Sequence, residues 1–233
     1  SLGQALALAK KRPQHPFSHF KPFDLLISPR RQLTAIPKNQ LTHIAASIGP
    51  GSFTGIRIGV STARALCQSL DLPGVAVPTL ESFLRKKEAL CQGQDTAVCA
   101  IINARRGQVY GVIDGYLKPQ PCMITDIIQT IQEQIFPSKK SVIFFGDGTE
   151  AYGERIDEEL GKAGAKRGAD YFFAGEEIRY QDAPSAGLLA AENLKLGQTV
   201  DSPEDLLPDY MRKAEAEQKL EAGTLKLGSF TKM

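Results

Sequence analysis

The segment GPGSFTGIRIG, which runs from Gly49 to Gly59, contains residue types suited to binding an anion or a closely packed partner. Glycine permits positive φ and proline fixes φ at about −65°, so a tight turn is expected. An apolar run at residues 44–48 precedes the turn as a strand would, and a helical pattern follows at residues 60–70. A strand–turn–helix leaves free backbone N–H groups at a helix N-terminus, which suits an anion or a neighbouring chain. The segment is neither a Walker A loop nor a GxGxxG fingerprint.

Arg57 is the charged residue within this segment. Its planar guanidinium could hold a phosphate or a carboxylate as a bidentate fork. It could equally cap nearby backbone carbonyls or pair with a surface acid. The sequence favours neither interpretation over the other.

Histidine chemistry has little support in this chain. His15 and His19 form an H-x-x-x-H spacing that could place two imidazoles on one helix face for a metal. Pro16 and Phe17 interrupt that spacing, and no nearby acid completes a third ligand, so no metal site is expected. His43 leads into a predicted strand and is interpreted as structural.

Two further turns could carry chemistry. Ser52 lies in an exposed turn but lacks the GxSxG spacing of a nucleophile elbow, and all three histidines precede it. No catalytic residue is therefore predicted, and no peptidase site. Gly146-Asp147-Gly148 follows a strand and could approach a nucleotide, although Gly-Asp-Gly turns are also common without a ligand.

The composition is that of an ordinary globular protein, with 42% hydrophobic and 23% charged residues among 233 and a net charge of +2. No apolar run approaches the roughly 20 residues of a membrane span, so no membrane association is expected. Basic pairs are scattered along the chain, and the composition gives no support to direct nucleic-acid binding. The four cysteines show neither a CxxC pair nor a metal spacing, which indicates reduced thiols and a cytoplasmic location.

Strand and helix patterns alternate along the chain, which indicates an α/β architecture. The predicted strands cover residues 4–10, 43–48, 74–77, 97–103, 108–114, 141–145 and 171–174. The predicted helices cover residues 23–28, 54–70, 80–91, 126–136, 149–160 and 185–196. Ser52 or Thr54 is expected to cap the helix at 54–70, and Thr125 the helix at 126–136.

The helix at residues 54–70 combines several faces. Helical spacing predicts a core-facing row of Ile56, Val60, Ala63, Cys67 and Leu70. A second row consists of small residues and would let another backbone approach closely: Gly51, Gly55, Gly59 and Ala63. The opposite side carries Arg57, Ser61 and Arg64. We expect the apolar row to face the core and the small row to be available to a partner helix.

The GPGSFTG-x-R-x-G segment and the small-residue helix after it resemble the TsaB family, also called YeaZ, at every fixed position. The resemblance spans residues from about 40 to about 220 and includes VPTLESF at 77–83, IINARRGQVY at 101–110, PSA at 184–186 and PDYMRKAEA at 208–216. Asn103 stands where the family usually has Asp, and Gln108 where it often has Glu. Both differences remove a carboxylate from the predicted hairpin, which argues further against catalysis there.

The resemblance implies a fold and its division. The family has the two-lobed actin/Hsp70-like (ASKHA) ATPase fold, so we expect an N-terminal lobe at residues 1–98 and a C-terminal lobe at 99–233. Family members begin with a strand that ends in Asp-Thr-Ser. The present sequence resembles the segment just after that strand, so we expect the first strand to be absent from it.

The resemblance also implies a function. TsaB is an accessory subunit in the synthesis of threonylcarbamoyladenosine (t6A) at position 37 of tRNAs that read codons beginning with A. We expect a non-catalytic scaffold that binds TsaD, with the ATPase TsaE as third partner, a homodimer when alone, and tRNA contact only through the complex. The predicted interface consists of Gly51, Ser52, Phe53, Thr54, Gly55, Arg57, Gly59, Ala63 and Arg64. No cofactor of its own is expected, apart from weak ATP or ADP binding at the complex interface. The alternative is an ATP-binding hydrolase or a glycoprotease-like (M22) peptidase.

Overall fold

A computed structural model describes residues 40–87 and 95–211 of the chain as an α/β protein with two sheets. The strands are β1 (Ile44–Gly49), β2 (Gly74–Pro78), β3 (Thr96–Asn103), β4 (Gln108–Ile113), β5 (Leu117–Met123), β6 (Ser141–Phe145) and β7 (Tyr171–Phe173). The α-helices are α1 (Phe53–Leu70), α2 (Thr79–Leu84), α3 (Ile124–Thr130), α4 (Gly148–Lys162), α5 (Glu176–Arg179) and α6 (Ala183–Lys195). The predictions at residues 4–10 and 23–28, and the prediction that concerns a first strand, lie outside the described residues.

The first sheet and helix α1 form one packed unit. Strands β1 and β2 pair in parallel, joined by α1 as a crossover. The Ser52 hydroxyl accepts a hydrogen bond from the Gly55 N–H at 3.4 Å, which confirms Ser52 as the N-cap. The helix ends at Leu70, followed by Asp71 in the left-handed conformation. The predicted strand–turn–helix is therefore confirmed.

The second sheet has the strand order β5-β4-β3-β6-β7. Strands β3 and β4 form the predicted antiparallel hairpin, and β6 and β7 extend the sheet in parallel. Strand β5 was not predicted, because Pro119 and Pro121 within it lack the N–H that a central strand must donate. Its position at the edge of the described sheet tolerates prolines, since among the described strands only β4 pairs with β5.

Two helix predictions need correction. The predicted cap Thr125 is wrong, because α3 begins at Ile124 with Met123 as N-cap, whose N–H donates to the Asp126 carboxylate at 2.9 Å. The α-helix ends at Thr130 and continues as one π turn, Ile131–Ile135. The predicted helix at 80–91 is not continuous, because α2 ends at Leu84 with Arg85 as its C-cap. Residues 88–94 lie outside the described part.

The chain returns to the first sheet after completing the second. Helix α6 packs on strands β1 and β2, with Leu189 and Ala190 buried against Val75 and Val77. Farther along, Leu206 is buried in the core between α1 and β1. The lobe boundary expected near residue 98 falls within β3, and the two-lobe division by residue number stays a prediction. No helix in the described ranges is long and apolar enough to cross a membrane.

Candidate functional site

The turn between β1 and α1 is closed by a segment from the far end of the chain. Gly49 has φ +130°, and a Cβ there would lie 2.3 Å from the Asp209 carbonyl oxygen. The Asp209 N–H donates to the Ile48 carbonyl at 2.8 Å. The Gly49–Pro50 peptide bond is cis. Only glycine fits at position 49, because the chain around Asp209 lies directly on the turn.

The solvent-facing side of α1 carries almost no charge. Its exposed residues, apart from Arg57, are Phe53, Thr54, Gly55, Ile58, Ser61, Thr62, Ala65, Gln68 and Ser69. Ile58 is 48% exposed and Phe53 46% exposed. The Thr62 hydroxyl donates to the Ile58 carbonyl at 2.8 Å, and the Ser69 hydroxyl donates to the Leu66 carbonyl at 3.2 Å. The hydroxyl protons of Thr62 and Ser69 thus bond to the helix itself, and the face is uncharged apart from Arg57. We call this surface the α1 face.

Arg57 lies at the edge of the α1 face within an aromatic cluster. Its Cζ lies 3.9 Å from the centroid of the Phe53 ring and 5.8 Å from that of Tyr210. Its Nε donates to the Tyr210 hydroxyl at 2.9 Å. The two ring centroids are 5.3 Å apart. The guanidinium is therefore held by a residue of α1 and a residue 153 positions later in the chain.

Arg64 has a different role from Arg57. Its Nε donates to the Leu206 carbonyl and its Nη2 to the Glu204 carbonyl, both at 2.9 Å. These bonds fasten the segment at residues 204–211 along α1. Arg64 thus binds backbone carbonyls of its own chain, which was one of the two interpretations left open for Arg57.

The structure divides the sequence-predicted interface residues into two groups. Exposed around the start of α1 are Ser52, Phe53, Thr54, Gly55 and Arg57, with Gly51 and Arg64 half-buried. Gly59 and Ala63 are buried against the chain's own core, where small side chains let α1 lie close to β1. The small-residue row is therefore divided: Gly55 lies on the exposed side of α1, whereas Gly59 and Ala63 lie in the interior. Ile58 lies within the predicted segment 51–59 but was not among the residues named for the interface, although its apolar side chain off the core row was a signal for it.

The segment at residues 204–211 adds apolar surface beside α1. Leu207 is 60% exposed and Tyr210 41% exposed. Tyr210 lies in the PDYMRKAEA stretch, but nothing in its sequence position shows that it contacts Phe53. This contact depends on the return of the chain across the first sheet and could not be found from local pattern.

The Gly-Asp-Gly turn after β6 packs against β3. A Cβ on Gly146 would lie 2.1 Å from the Ile101 carbonyl oxygen, and one on Gly148 would lie 2.8 Å from it. The Asp147 carboxylate accepts a hydrogen bond from the Asn103 N–H at 2.9 Å, and burial raises the pKa of Asp147. Both glycines thus make room for β3 of the same chain. The turn does not fit a nucleotide cradle, since the space that the glycines leave is already filled.

The hairpin between β3 and β4 has a left-handed tip. Arg105, Arg106 and Gly107 all have positive φ, at 66°, 55° and 77°. The Asn103 side-chain oxygen accepts from the Arg105 N–H at 2.8 Å and from the Tyr152 hydroxyl at 3.2 Å. Left-handed non-glycine residues cost roughly 1–2 kcal/mol each, and these hydrogen bonds offset part of that cost. Asn103 therefore acts as a local acceptor for the turn.

Cys67, Cys99 and His43 were interpreted as structural residues from the sequence. Cys67 and Cys99 are buried free thiols, as predicted, and Cys122 is half-buried. His43 directly precedes β1, and its Nδ1 lies 3.0 Å from the Thr42 hydroxyl. Within residues 40–87 and 95–211, no group of three or more His, Cys, Asp or Glu side chains is arranged for a metal. His15, His19 and Cys91 lie outside these ranges.

Comparison with known proteins identifies the family. A family model described as TsaD, tRNA N6-adenosine threonylcarbamoyltransferase, matches residues 31–220. The Bacillus subtilis (strain 168) protein named tRNA threonylcarbamoyladenosine biosynthesis protein TsaB is 33% identical over 189 residues, 77% of this chain and 73% of that one. The Escherichia coli (strain K12) protein of the same name is 38% identical over 87 residues, 37% of this chain and 35% of that one.

Solved structures support the fold. YeaZ from Pseudomonas aeruginosa matches with a TM-score of 0.56 at 22% identity, over 75% of this chain and 76% of that chain. A second structure, described as an uncharacterized protein with similarity to peptidase YEAZ from the same organism, matches with a TM-score of 0.56 at 23% identity, over 76% of each chain. The predicted actin-like ATPase fold is thereby confirmed. With its named relatives and the match across residues 31–220, the chain belongs to the TsaB (YeaZ) family.

Proposed function

We propose that this chain is a non-catalytic subunit of tRNA threonylcarbamoyladenosine synthesis and that it binds and activates TsaD through the α1 face. In this proposal TsaD performs the transfer to adenosine 37, TsaE is the third partner, and tRNA meets this chain only through the complex. We expect this synthesis to take place in the cytoplasm. The relatives named TsaB support the pathway, since their names refer to threonylcarbamoyladenosine biosynthesis.

The α1 face is the observation that carries the scaffold role. It is an 18-residue helix whose exposed side is uncharged except for Arg57 and includes Ile58 and Phe53. Surfaces of this kind are typical of protein contacts, because burying a large apolar side chain is favourable. Completing the burial of Ile58 and Phe53 is worth about 1 kcal/mol each, since roughly half of each remains exposed.

A charge placed on the face tests the proposal directly. Ile58→Glu should abolish co-purification of the TsaD homologue from the same organism, because docking would bury an unpaired carboxylate. Leu196→Glu is the matched control, since Leu196 is an exposed leucine at the end of α6. Both variants should keep the unfolding midpoint of the unchanged protein. Normal TsaD binding by a folded Ile58→Glu variant would refute the proposed docking face.

Nucleotide experiments separate the scaffold from an enzyme. Calorimetry of the isolated chain with ATP and a divalent cation should detect no turnover. Titration of the complex with TsaD should detect the weak ATP or ADP binding that we propose at its interface. Turnover by the isolated chain would favour the ATP-hydrolase alternative. Cleavage of a peptide library by the isolated chain would favour the peptidase.

The same face should support self-association in the absence of TsaD. We propose a homodimer, which light scattering would detect as a mass that rises with concentration. Ile58→Glu should convert that dimer into a monomer, and Leu196→Glu should leave it unchanged. If the protein without substitutions stays a monomer at every concentration tested, the proposed homodimer is wrong.

A further inference from the structure

The guanidinium of Arg57 is prepositioned at the edge of the α1 face. Phe53 stacks against it at 3.9 Å, and the Tyr210 hydroxyl accepts from its Nε. These contacts come from two separate parts of the chain, one from α1 and one from the segment at residues 204–211 that lies along it. A side chain fixed in this way loses less conformational freedom when it binds a ligand.

The segment that carries Tyr210 is itself fixed in place. Arg64 binds two of its carbonyls, Leu206 is buried in the core, and Asp209 bonds to the end of β1. Tyr210 is therefore presented to Arg57 by a well-anchored backbone. The aromatic cluster is a built feature of the fold, although its two halves lie far apart in sequence.

No residue of the described ranges bonds to the terminal nitrogens of Arg57. Among residues 40–87 and 95–211, Arg57 makes no ion pair, and its Nε is the only nitrogen with a hydrogen-bond acceptor. The two terminal groups of a guanidinium form parallel hydrogen bonds to the two oxygens of one carboxylate or phosphate. Within the described ranges, the aromatic cluster thus leaves the two terminal nitrogens of Arg57 available for such a pair of hydrogen bonds.

The surroundings favour a carboxylate over a phosphate. The exposed neighbours of Arg57 on α1 are uncharged: Ile58 is apolar, and Thr54 and Ser61 are small and polar. Leu207 adds exposed apolar surface in the returning segment. The nearby Arg64 is committed to backbone carbonyls, so Arg57 contributes a single positive charge. One guanidinium in an uncharged, partly apolar surface matches a singly charged side chain on a partner surface that is otherwise uncharged.

We propose that Arg57, held by Phe53 and Tyr210, is a receptor for one Asp or Glu side chain of the partner subunit, flanked there by uncharged residues. The proposal rests on the proposed function, because it assigns the partner chemistry of the same surface. It adds Tyr210 and Leu207 to the interface and makes the docking surface a composite of α1 and the segment at residues 204–211.

Binding measured at several salt concentrations tests the inference. Arg57→Gln should weaken binding of the TsaD homologue about 10- to 100-fold, the range expected for hydrogen bonds to a charged group. Its affinity should also depend less on NaCl than that of the unchanged protein. Arg57→Lys should recover only part of the loss, because an ammonium lacks the planar fork. Tyr210→Phe should weaken binding more mildly, since the ring remains and only the acceptor for Nε is removed.

Arg155→Gln is the matched control, since Arg155 is exposed on α4 away from this surface. It should leave both affinity and salt dependence unchanged. Acidic residues of the TsaD homologue can then be neutralised one at a time, and the carboxylate partner is the one whose effect disappears in the Arg57→Gln background.

Two results would overturn the inference while leaving the proposed function intact. The first is unchanged affinity and salt dependence in Arg57→Gln when Ile58→Glu still abolishes the complex. The second is a loss confined to self-association of this chain, which would place the carboxylate on a second copy. If Ile58→Glu also binds TsaD normally, it is the proposed function that fails.

Discussion

Lys86 carries a buried positive charge, and we expect the removal of its negative partner to lower the free energy of unfolding strongly. The side chain is 3% exposed, and its ammonium donates to the carbonyls of Ile178 and Tyr180, each at 2.7 Å, and to the Asp182 carboxylate. The three N–H groups are thus satisfied by one short segment before α6. This contact fastens the end of α2 to the connection between the two sheets.

The variant Asp182→Asn removes the negative charge and leaves the ammonium buried. It also retains an oxygen that can cap α6, where the Asp182 carboxylate accepts from the Ser185 N–H at 2.7 Å. Breaking a buried ion pair from one side costs about 3–5 kcal/mol. Because the Asp182 side chain is 26% exposed, we expect the lower end, a loss of about 3 kcal/mol in the free energy of unfolding.

The neighbouring lysine provides a matched control. Lys87 pairs with Asp114 at 2.6 Å, but the two side chains are 43% and 34% exposed. Asp114→Asn should therefore cost less than about 1 kcal/mol. Urea unfolding at pH 7 measures both variants, and the small Asp114→Asn effect should shrink further at 1 M NaCl while that of Asp182→Asn persists. Equal losses in the two variants would refute the assignment of Lys86 as a buried, partner-dependent charge.

The pH dependence of the same variant follows from the causes acting on Lys86. Burial lowers the pKa of Lys86, and the Asp182 charge opposes that effect. Without the charge the folded-state pKa falls further, so the folded protein releases its proton before the unfolded chain does. Where the unfolded state binds more protons, stability rises with pH. The difference in free energy of unfolding between Asp182→Asn and the unchanged protein should therefore become smaller as the pH rises above the folded-state pKa of Lys86 in the variant, toward the pKa of a free lysine.

Three further predictions concern one thiol and two glycines. Burial, with a smaller contribution from the Asp126 charge, raises the pKa of Cys122 to about 11. Its alkylation at pH 8, followed on that residue by peptide mass spectrometry, should be about 100-fold slower than after urea unfolding, because only the thiolate reacts; equal rates would contradict the assigned burial. Gly146→Ala should cost more than about 3 kcal/mol, since its Cβ meets the Ile101 carbonyl at 2.1 Å with φ +92°. Gly161→Ala, with open space around it in α4, should instead stabilise by up to about 1 kcal/mol in the same urea assay.

Local patterns were sufficient where neighbouring residues determine the structure. The strand at 141–145 was predicted with the bounds that the structure has. The hairpin predicted at 97–103 and 108–114 is confirmed with bounds that differ by one residue at each outer end. The start of α6 was placed two residues late, although Asp182 followed by a proline in the first turn is a typical helix start. Strand β5 could not be predicted, since its prolines are acceptable only at a sheet edge, and edge position depends on strand order.

The candidate site shows the same limit at the level of single side chains. A row of glycine and alanine permits close approach of a neighbouring backbone, but it does not say whether that neighbour is a strand of the same chain or a helix of a partner. In this protein Gly59 and Ala63 serve the close packing of α1 on its own sheet, while Gly55 remains exposed. The residue that best distinguishes the outer face is Ile58, because an apolar side chain there has no core to enter. A substitution at Ile58 therefore tests docking with little effect on folding, whereas substitutions at Gly59 or Ala63 would test the core first.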